Sequence, residues 1–312
     1  MNIEELLEKF KQGNIRALGK SITIVENSLD GCDFLLEETS KINKNPQVIG
    51  FTGSPGAGKS SLIDSLVSYI REKGLTVGVI AIDPSSPFSG GAILGDRIRM
   101  IKHSTDKGVF IRSMANRGQT GGLNISAKSA IKMISAFGFD VIIIETVGTG
   151  QTEIDIVKTA DTVIVVQNPE AGDGIQAIKS GIMEIADIFV VNKSDLKGAN
   201  IAKMTLETSV MEGSRKSDWW IPVLMTSSVN NTGLDILWEN IRKHWDFLNE
   251  SGELKKRRFL QTKEEIIASL QDKMEKYLDN KLQKEVFSNI LEQAVNKEIS
   301  VNDAVTKIFH LL

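Results

Sequence analysis

A glycine-rich octapeptide constrains the fold of this chain more than any other feature. Residues 53–60 read Gly-Ser-Pro-Gly-Ala-Gly-Lys-Ser and match the pattern G-x-x-x-x-G-K-[ST] at every fixed position. The run 48–52 before it is short and apolar, and residues 61–70 after it have helical apolar spacing. A strand, a glycine loop and a helix in this order predict a loop that holds the phosphates of a nucleoside triphosphate.

Each kind of residue in this loop has a predicted part in nucleotide binding. Its glycines let backbone N–H groups approach phosphate oxygens, Lys59 supplies a mobile positive charge, and Ser60 offers a hydroxyl to Mg²⁺. The complete match in its strand-loop-helix context disfavours the alternative of a glycine-rich turn with a chance lysine. The predicted nucleotide-binding residues here are Gly53, Ser54, Pro55, Gly56, Ala57, Gly58, Lys59, Ser60 and Ser61.

Apolar runs rich in β-branched residues alternate with helical stretches from residue 48 onward. Because these runs lack polar alternation, they predict strands buried on both faces of a mostly parallel sheet, which is a doubly wound α/β fold of the P-loop NTPase type. We expect three parts: an N-terminal helical extension over 1–45, the nucleotide-binding domain over 46–250 and a C-terminal helical extension over 251–312. The predicted strands are 77–83, 109–111, 141–145, 162–166, 188–192 and 223–226.

Composition and charge limit the classes of partner and the cellular compartment that we expect for this chain. The chain has 41% hydrophobic and 25% charged residues and a net charge of −3, which is ordinary soluble composition and argues against a nucleic-acid partner. The N-terminus lacks a signal-peptide layout and no apolar run is long enough to span a bilayer, so we expect no membrane contact and a cytoplasmic location. A single cysteine, Cys32, fits a reducing compartment. The basic run 255–258 is interpreted as a solvated helix face.

A second motif indicates which base the site selects. Residues 192–195 read Asn-Lys-Ser-Asp directly after a predicted buried strand and match N-K-x-D. The carboxylate of Asp195 can accept hydrogen bonds from the ring N–H and the exocyclic amine of guanine, a donor pair that adenine lacks. Alone, this motif is also typical of a polar turn. Together with the phosphate loop it predicts GTP rather than ATP, bound by Asn192, Lys193, Asp195 and the following loop of Thr226, Ser227 and Ser228.

Three acidic residues are candidate Mg²⁺ ligands beside Ser60. Glu145 ends a strand at the position where GTPases carry D-x-x-G, although glutamate departs from the commoner aspartate. Asp83 closes the strand after the phosphate-loop helix, and Asp96 follows the next loop. Acidic groups beside a triphosphate are costly unless a cation lies between them. The alternatives are a turn aspartate for Asp83 and a helix N-cap for Asp96.

The sequence contains only some of the residues that usually assist GTP hydrolysis. Thr149 stands where many GTPases carry a water-orienting glutamine, and Gln151 lies two positions further on, so we expect slow intrinsic hydrolysis. Arg112 is interpreted together with the loop 117–122, either as an arginine that reaches the γ-phosphate or as a surface arginine. The histidines lack ligand spacing and are interpreted as structural: His103, His244 and His310.

With these motifs in view, the chain resembles the MeaB/ArgK family of P-loop GTPases, which includes the human methylmalonic aciduria type A protein. The resemblance implies a homodimeric GTPase that acts as a chaperone for adenosylcobalamin-dependent acyl-CoA mutases, typically methylmalonyl-CoA mutase, by gating cofactor loading and protecting the mutase. The blocks that carry it are 19–27, 53–61, 83–87, 90–97, 112–114, 117–118, 145–151, 192–195 and 299–304.

The resemblance also implies residue roles. In the family, the residues that match Glu145, Asp83 and Asp96 belong to the magnesium and switch machinery. An additional switch would occupy 167–179, and the C-terminal extension would contribute to the dimer. The predicted catalytic residues are Lys59, Asp96, Glu145, Gln151 and Lys179.

Three other functions remain open from the sequence. A metallochaperone GTPase of the hydrogenase and urease maturation type would need cysteine and histidine ligands that this chain lacks as a cluster. An ATP-dependent kinase that acts on a transport protein is opposed by the guanine motif. The third alternative is a scaffold that holds a nucleotide without turning it over.

Overall fold

The computed structural model describes residues 2–42, 44–84, 101–116, 125–146, 155–169, 182–212, 218–282 and 285–311. The chain divides into two compact units, Met1–Gln261 and Thr262–Leu312. In its described part the first unit is a parallel sheet with helices on both faces, and the second is helical. The division into parts 1–45, 46–250 and 251–312 rests on sequence patterns and stays a prediction.

Seven described strands form one sheet in the order β3-β2-β4-β1-β5-β6-β7, and every neighbouring pair in it is parallel. Strand β1 is fully buried and lies between β4 and β5. The predicted doubly wound α/β fold is therefore confirmed. The strands are β1 Gln47–Gly53, β2 Val77–Pro84, β3 Val109–Asn116, β4 Val141–Thr146, β5 Thr162–Gln167, β6 Ile188–Val191 and β7 Val223–Met225.

Helices cover both faces of the sheet and form the ends of the chain. Short 3-10 turns occupy Ile101–His103, Ile156–Lys158 and Ile182–Glu184. The α-helices are α1 Ile3–Lys11, α2 Ile15–Glu26, α3 Cys32–Ser40, α4 Lys59–Glu72, α5 Ile125–Phe137, α6 Ala199–Glu212, α7 Leu234–Glu250, α8 Glu253–Leu282, α9 Glu285–Val295 and α10 Val301–Leu311.

Two apolar clusters, one on each face of the sheet, form the core of the first unit. On one face the N-terminal helices α1 to α3 pack with α5, and fully buried Leu18, Ile22 and Leu35 belong to this cluster. On the other face, α4 and α7 pack through residues such as Leu66 and Ile241. The amphipathic spacing of the first 40 residues therefore buries a face of these helices against the sheet domain.

The second unit consists of the remainder of α8 with α9 and α10, and α9 packs against α10. A capping box begins α10, because Asp303 N–H donates to Ser300 Oγ at 3.0 Å and Ser300 Oγ donates to the Asp303 carboxylate at 2.7 Å. Several apolar side chains of α8 are exposed, including Ile266, Leu270 and Met274. Among the described residues, no helix combines the length and the apolar character that crossing a bilayer requires.

Candidate functional site

The phosphate loop lies at the carboxyl end of β1 and leads directly into α4. Gly53 has a φ of 130°, and a Cβ there would lie 2.0 Å from the backbone oxygen of Val166, so only glycine fits between the adjacent ends of β1 and β5. Gly58 has a φ of 84° and immediately precedes the first helical residue. The loop thus ends at the N-terminus of α4, where the helix dipole favours an anion.

Lys59 and Ser60 begin α4, and both are buried. The Lys59 ammonium group folds back over the loop and donates to the carbonyl oxygens of Gly53 and Ser54, at 2.7 and 3.0 Å. The Ser60 hydroxyl donates to Glu145 Oε1 at 2.6 Å. The structure therefore brings together the predicted lysine, hydroxyl and carboxylate at one end of the sheet.

The other candidate metal and catalytic residues are placed only in part. Asp83 lies near the end of β2, one residue past Ile82, which pairs with Thr146 of β4, so its backbone is close to the strand end that carries Glu145. Asp96, Gln151 and Lys179 lie outside the described residues. Among the residues that the structure describes, no group of three or more histidine, cysteine, aspartate or glutamate side chains is arranged to hold a metal ion.

The predicted base-reading residues meet beside the phosphate loop. Asn192 is buried, and its amide nitrogen donates to the carbonyl oxygens of Ala57 and Gly58, at 3.0 and 3.3 Å. Its side-chain oxygen accepts from Thr226 Oγ1 and Ser228 Oγ, both at 3.1 Å. One side chain therefore joins the phosphate loop to the loop after β7.

Asp195 occupies the exposed side of this group. Its Oδ1 accepts a hydrogen bond from Ser227 Oγ at 2.5 Å, while the carboxylate as a whole is on the surface. Lys193 adopts a left-handed conformation with a φ of 57°, which turns the chain sharply between Asn192 and Asp195. A carboxylate that is held at one oxygen and accessible to solvent can accept the paired donors of a purine edge.

The placement of Arg112 in a loop is wrong, and the solvated face predicted for residues 255–258 is confirmed only for Lys255 and Lys256, which are exposed. Arg112 lies within β3 rather than in a loop, and its guanidinium donates to Glu26 Oε2 at 2.5 Å and to Thr23 Oγ1 at 3.3 Å, which ties β3 to α2. Arg257 and Arg258 are not a solvated face. They form ion pairs with Asp187 and Asp161 at the amino end of the sheet.

The sequence patterns did not predict this polar cluster at the amino end of the sheet. Asp161 and Asp187 directly precede β5 and β6, and each carboxylate also accepts the N–H of a neighbouring strand, from Val48 and Val163 respectively, both at 2.8 Å. An Ala-Asp pair before each of two buried strands is the sequence signal that was available. Arg258 contributes Nε and Nη2 to the two oxygens of Asp161, at 2.9 and 2.8 Å.

His244 lies within this cluster, as its structural interpretation predicts. It is 1% exposed, hydrogen-bonds through Nδ1 to Thr162 Oγ1 at 3.0 Å and packs against the ring of Trp219. Burial lowers its pKa from 6.5 to about 4, although the Asp187 carboxylate opposes the shift. His244 is therefore neutral at neutral pH.

Gln167 contacts the phosphate loop, although the sequence did not predict it as a nucleotide-binding residue. Its side-chain oxygen accepts from Ser54 Oγ at 2.6 Å, so it contacts the second residue of the phosphate loop. The sequence interpretation assigned it only to the start of the additional switch. No local pattern signals this contact, because the two residues come from different strand ends.

A parallel sheet with a glycine-rich phosphate loop at its carboxyl edge, joined by an Asn-Lys-x-Asp loop, defines a P-loop nucleoside triphosphatase of the GTPase class. The family model for "Methylmalonyl Co-A mutase-associated GTPase MeaB" matches residues 18–283, and the chain belongs to this family. The resemblance to MeaB/ArgK proteins is thereby confirmed, and the protein is a GTPase.

Individual relatives agree with the family. A putative GTPase of Pyrococcus horikoshii is 47% identical over 300 residues, which cover 95% of this chain and 94% of the relative. The GTPase ArgK of Escherichia coli is 36% identical over 272 residues, with 84% of this chain and 82% of the relative covered. The crystal structure of an LAO/AO transport system kinase superposes with a TM-score of 0.73 at 27% identity, over 100% of this chain and 98% of that chain.

Proposed function

We propose that this GTPase is a chaperone for an adenosylcobalamin-dependent acyl-CoA mutase of the methylmalonyl-CoA mutase type, that it gates loading of the mutase cofactor, and that it uses GTP and Mg²⁺. The single observation that supports the nucleotide half is the position of Asn192, which bonds the phosphate loop on one side and the base-reading loop on the other. The mutase half is supported by the name of the family.

In this proposal the loop 53–58 binds the α- and β-phosphates through backbone N–H groups at the start of α4. Lys59 leaves the carbonyl oxygens of Gly53 and Ser54 and turns its ammonium group towards the outer phosphates. The Lys59 ammonium group thereby replaces two neutral carbonyl acceptors by charged phosphate oxygens, which form stronger hydrogen bonds.

The oxygen-bearing side chains at this edge fit a magnesium ion. Ser60 Oγ and Glu145 Oε1 are 2.6 Å apart beside the phosphate loop, and hydroxyl and carboxylate oxygens are ligands that Mg²⁺ accepts. Asp83 and Asp96 complete the proposed set. When bound, the ion supplies positive charge to the phosphate oxygens at which negative charge develops. Gln151 and Lys179 are proposed to assist hydrolysis on the strength of the resemblance.

Guanine selection is assigned to Asp195, with Asn192 and Lys193 shaping its loop and Thr226, Ser227 and Ser228 forming the opposite wall. Because Ser227 already donates to Asp195 Oδ1, the carboxylate is oriented before the base arrives. An oriented acceptor reduces the entropy that binding must otherwise remove.

We also propose that the protein is a cytoplasmic homodimer in which the C-terminal helices take part. The exposed apolar residues of α8, among them Ile266, Leu270 and Met274, recur at helical spacing and support burial against a second copy. Sedimentation analysis tests this directly: the wild type should be dimeric, and Leu270→Glu should shift it towards the monomer. A monomeric wild type would remove this part of the proposal.

The nucleotide proposal is tested by calorimetric titration of the purified protein with Mg²⁺ and GDP, GTP or ATP. We expect GTP to bind at least about a thousandfold more tightly than ATP, because a site built to pair with guanine leaves polar groups unpaired when adenine enters. Equal affinity for ATP would favour the kinase function that the name of one structural neighbour describes.

The chaperone proposal is tested by adding a mutase to the GTPase. Addition of an adenosylcobalamin-dependent acyl-CoA mutase from the native host should raise the single-turnover rate of GTP hydrolysis about tenfold, as expected if the partner stabilises the transition state by about 1.4 kcal/mol more than the ground state. Lys59→Met protein serves as the control for contaminating phosphatase activity. A rate that the mutase leaves unchanged, together with unaltered cofactor loading, would contradict the chaperone role while leaving the GTPase intact.

A further inference from the structure

The phosphate loop is held by side chains from two neighbouring strands. Asn192 follows β6 and holds the far end of the loop through the carbonyl oxygens of Ala57 and Gly58. Gln167 ends β5 and holds the near end, where its Oε1 accepts the hydroxyl proton of Ser54 at 2.6 Å. Gln167 is 4% exposed, so the acceptor is buried, whereas Ser54 is partly exposed.

Gln167 is also bonded to the base-reading loop through its backbone. Its carbonyl oxygen accepts from the N–H of Asn192 at 2.8 Å. The residue before it, Val166, lies so close to Gly53 that a methyl group would not fit between them. One residue therefore contacts both halves of the proposed nucleotide site at a point where the backbones are already packed.

The Lys59 ammonium group also bonds the carbonyl oxygens of Gly53 and Ser54, but the near end of the loop has few side chains of its own that could make such a contact. Ser54 is followed by Pro55, which has no N–H to donate, and then by Gly56, which has no side chain. The Ser54 hydroxyl is thus the first side-chain group through which the loop can be anchored beyond β1. A loop that is ordered before binding loses less entropy when phosphate arrives, so its ligand dissociates more slowly.

We propose that Gln167 is a positioning residue, which orders the phosphate loop through Ser54 and connects it to the base-reading loop through Asn192. This inference rests on the proposed function and deepens it at the same site. Gln167 acts through the loop rather than on the nucleotide.

The experiment compares five proteins: the wild type, Gln167→Met, Ser54→Ala, the double variant and Gln47→Met. Methionine keeps the volume of glutamine and removes the hydrogen-bond acceptor. Gln47 is the matched control because it is 2% exposed, lies at the opposite end of β1 and donates to Thr162 Oγ1 and the Ile241 carbonyl oxygen, at 3.3 and 3.2 Å.

Two rates are measured. The first is backbone amide hydrogen exchange over residues 54–60 in nucleotide-free protein, and the second is dissociation of a fluorescent GDP analogue. Gln167→Met and Ser54→Ala should each raise both rates about five- to tenfold, the factor that one hydrogen bond contributes. Because they remove the same bond, the double variant should equal either single variant. Gln47→Met should lower the unfolding temperature and leave both rates within about twofold.

Unchanged rates in Gln167→Met, or effects that multiply in the double variant, would overturn the positioning role. A wild type that binds no guanine nucleotide would instead overturn the proposed function. The exchange measurement needs no nucleotide, so in that case it still decides whether Gln167 orders the loop.

Discussion

The two ends of the sheet use polar side chains in opposite ways. At the amino end, Arg257 and Arg258 pair with Asp187 and Asp161, so that buried charges neutralise one another. At the carboxyl end, side chains such as Asn192 and Gln167 bond to the loops and hold backbone in place. The first arrangement is complete within the chain, whereas the second shapes a site for another molecule.

This difference predicts which end of the sheet contributes to stability and which to nucleotide affinity. Removing one partner of a buried ion pair leaves an uncompensated charge, so the amino end should govern stability. Loops at the carboxyl ends of parallel strands form the ligand sites of open α/β sheets, so the carboxyl end should govern nucleotide affinity. Four substitutions test whether these two properties separate.

The largest effect is expected from Arg258→Leu at the amino end. Asp161 is 1% exposed and would keep a buried charge without this guanidinium, so the free energy of unfolding should fall by about 3–5 kcal/mol. Urea unfolding measures it, and GDP affinity of the folded protein should change less than about twofold. Lys256→Leu, at an exposed neighbour in α8, should shift stability by about 0.5 kcal/mol or less. Equal losses in the two variants would show that the ion pair is not the cause.

Asp195→Asn should have the next largest effect, at the carboxyl end. The amide presents a donor where guanine also presents donors, so GTP affinity should fall about a hundredfold or more, or about 3 kcal/mol. The affinity for xanthosine triphosphate should rise, because xanthine presents an acceptor there. Competition binding measures both nucleotides. Asp235→Asn, at an exposed carboxylate in α7, is the control and should change neither affinity. Retained GTP preference in Asp195→Asn would refute the base-reading role.

Lys59→Met should weaken GTP binding about 50-fold, or about 2.3 kcal/mol, because a charged hydrogen-bond donor to the phosphates is lost. The loss should be smaller for guanosine than for GTP, since the nucleoside has no phosphates. Titration with both ligands measures this ratio. An equal loss for guanosine would mean that the substitution distorts the whole site.

The smallest effect is a pH dependence that originates at the amino end. The pKa of His244 is about 4 in the folded chain and 6.5 as the ordinary value, so the unfolded chain binds more protons between these values. The contribution to stability therefore levels off above about pH 7 and falls as the pH is lowered through 6.5 towards 4. Between pH 7 and 5.5 the loss from this residue should be about 1 kcal/mol. The free energy of unfolding, measured by urea at several pH values, should depend less on pH in His244→Gln than in the wild type. The same pH dependence in both proteins would show that other groups cause it.

Local patterns were sufficient for the elements of the fold and for much of the site. The octapeptide at residues 53–60 identifies a strand, a loop and a helix together, because its glycines and its lysine serve one local geometry. The β-branched runs predict buried parallel strands, and the structure confirms them. The motif at residues 192–195 was interpreted from the strand before it together with the phosphate loop.

Pairings between distant side chains were decided by the tertiary structure. Ser54 and Gln167 are 113 positions apart, and Arg258 and Asp161 are 97 apart, so periodicity within a segment carries no information about either contact. They follow from strand order, which places β5 beside β1 and brings Asp161 to the amino end of the same sheet. The sequence alone predicted which loops hold phosphate and base. The packing of β1, β5 and β6 side by side decided which other side chains anchor those loops, because a hydrogen bond forms only where the fold brings donor and acceptor within about 3 Å.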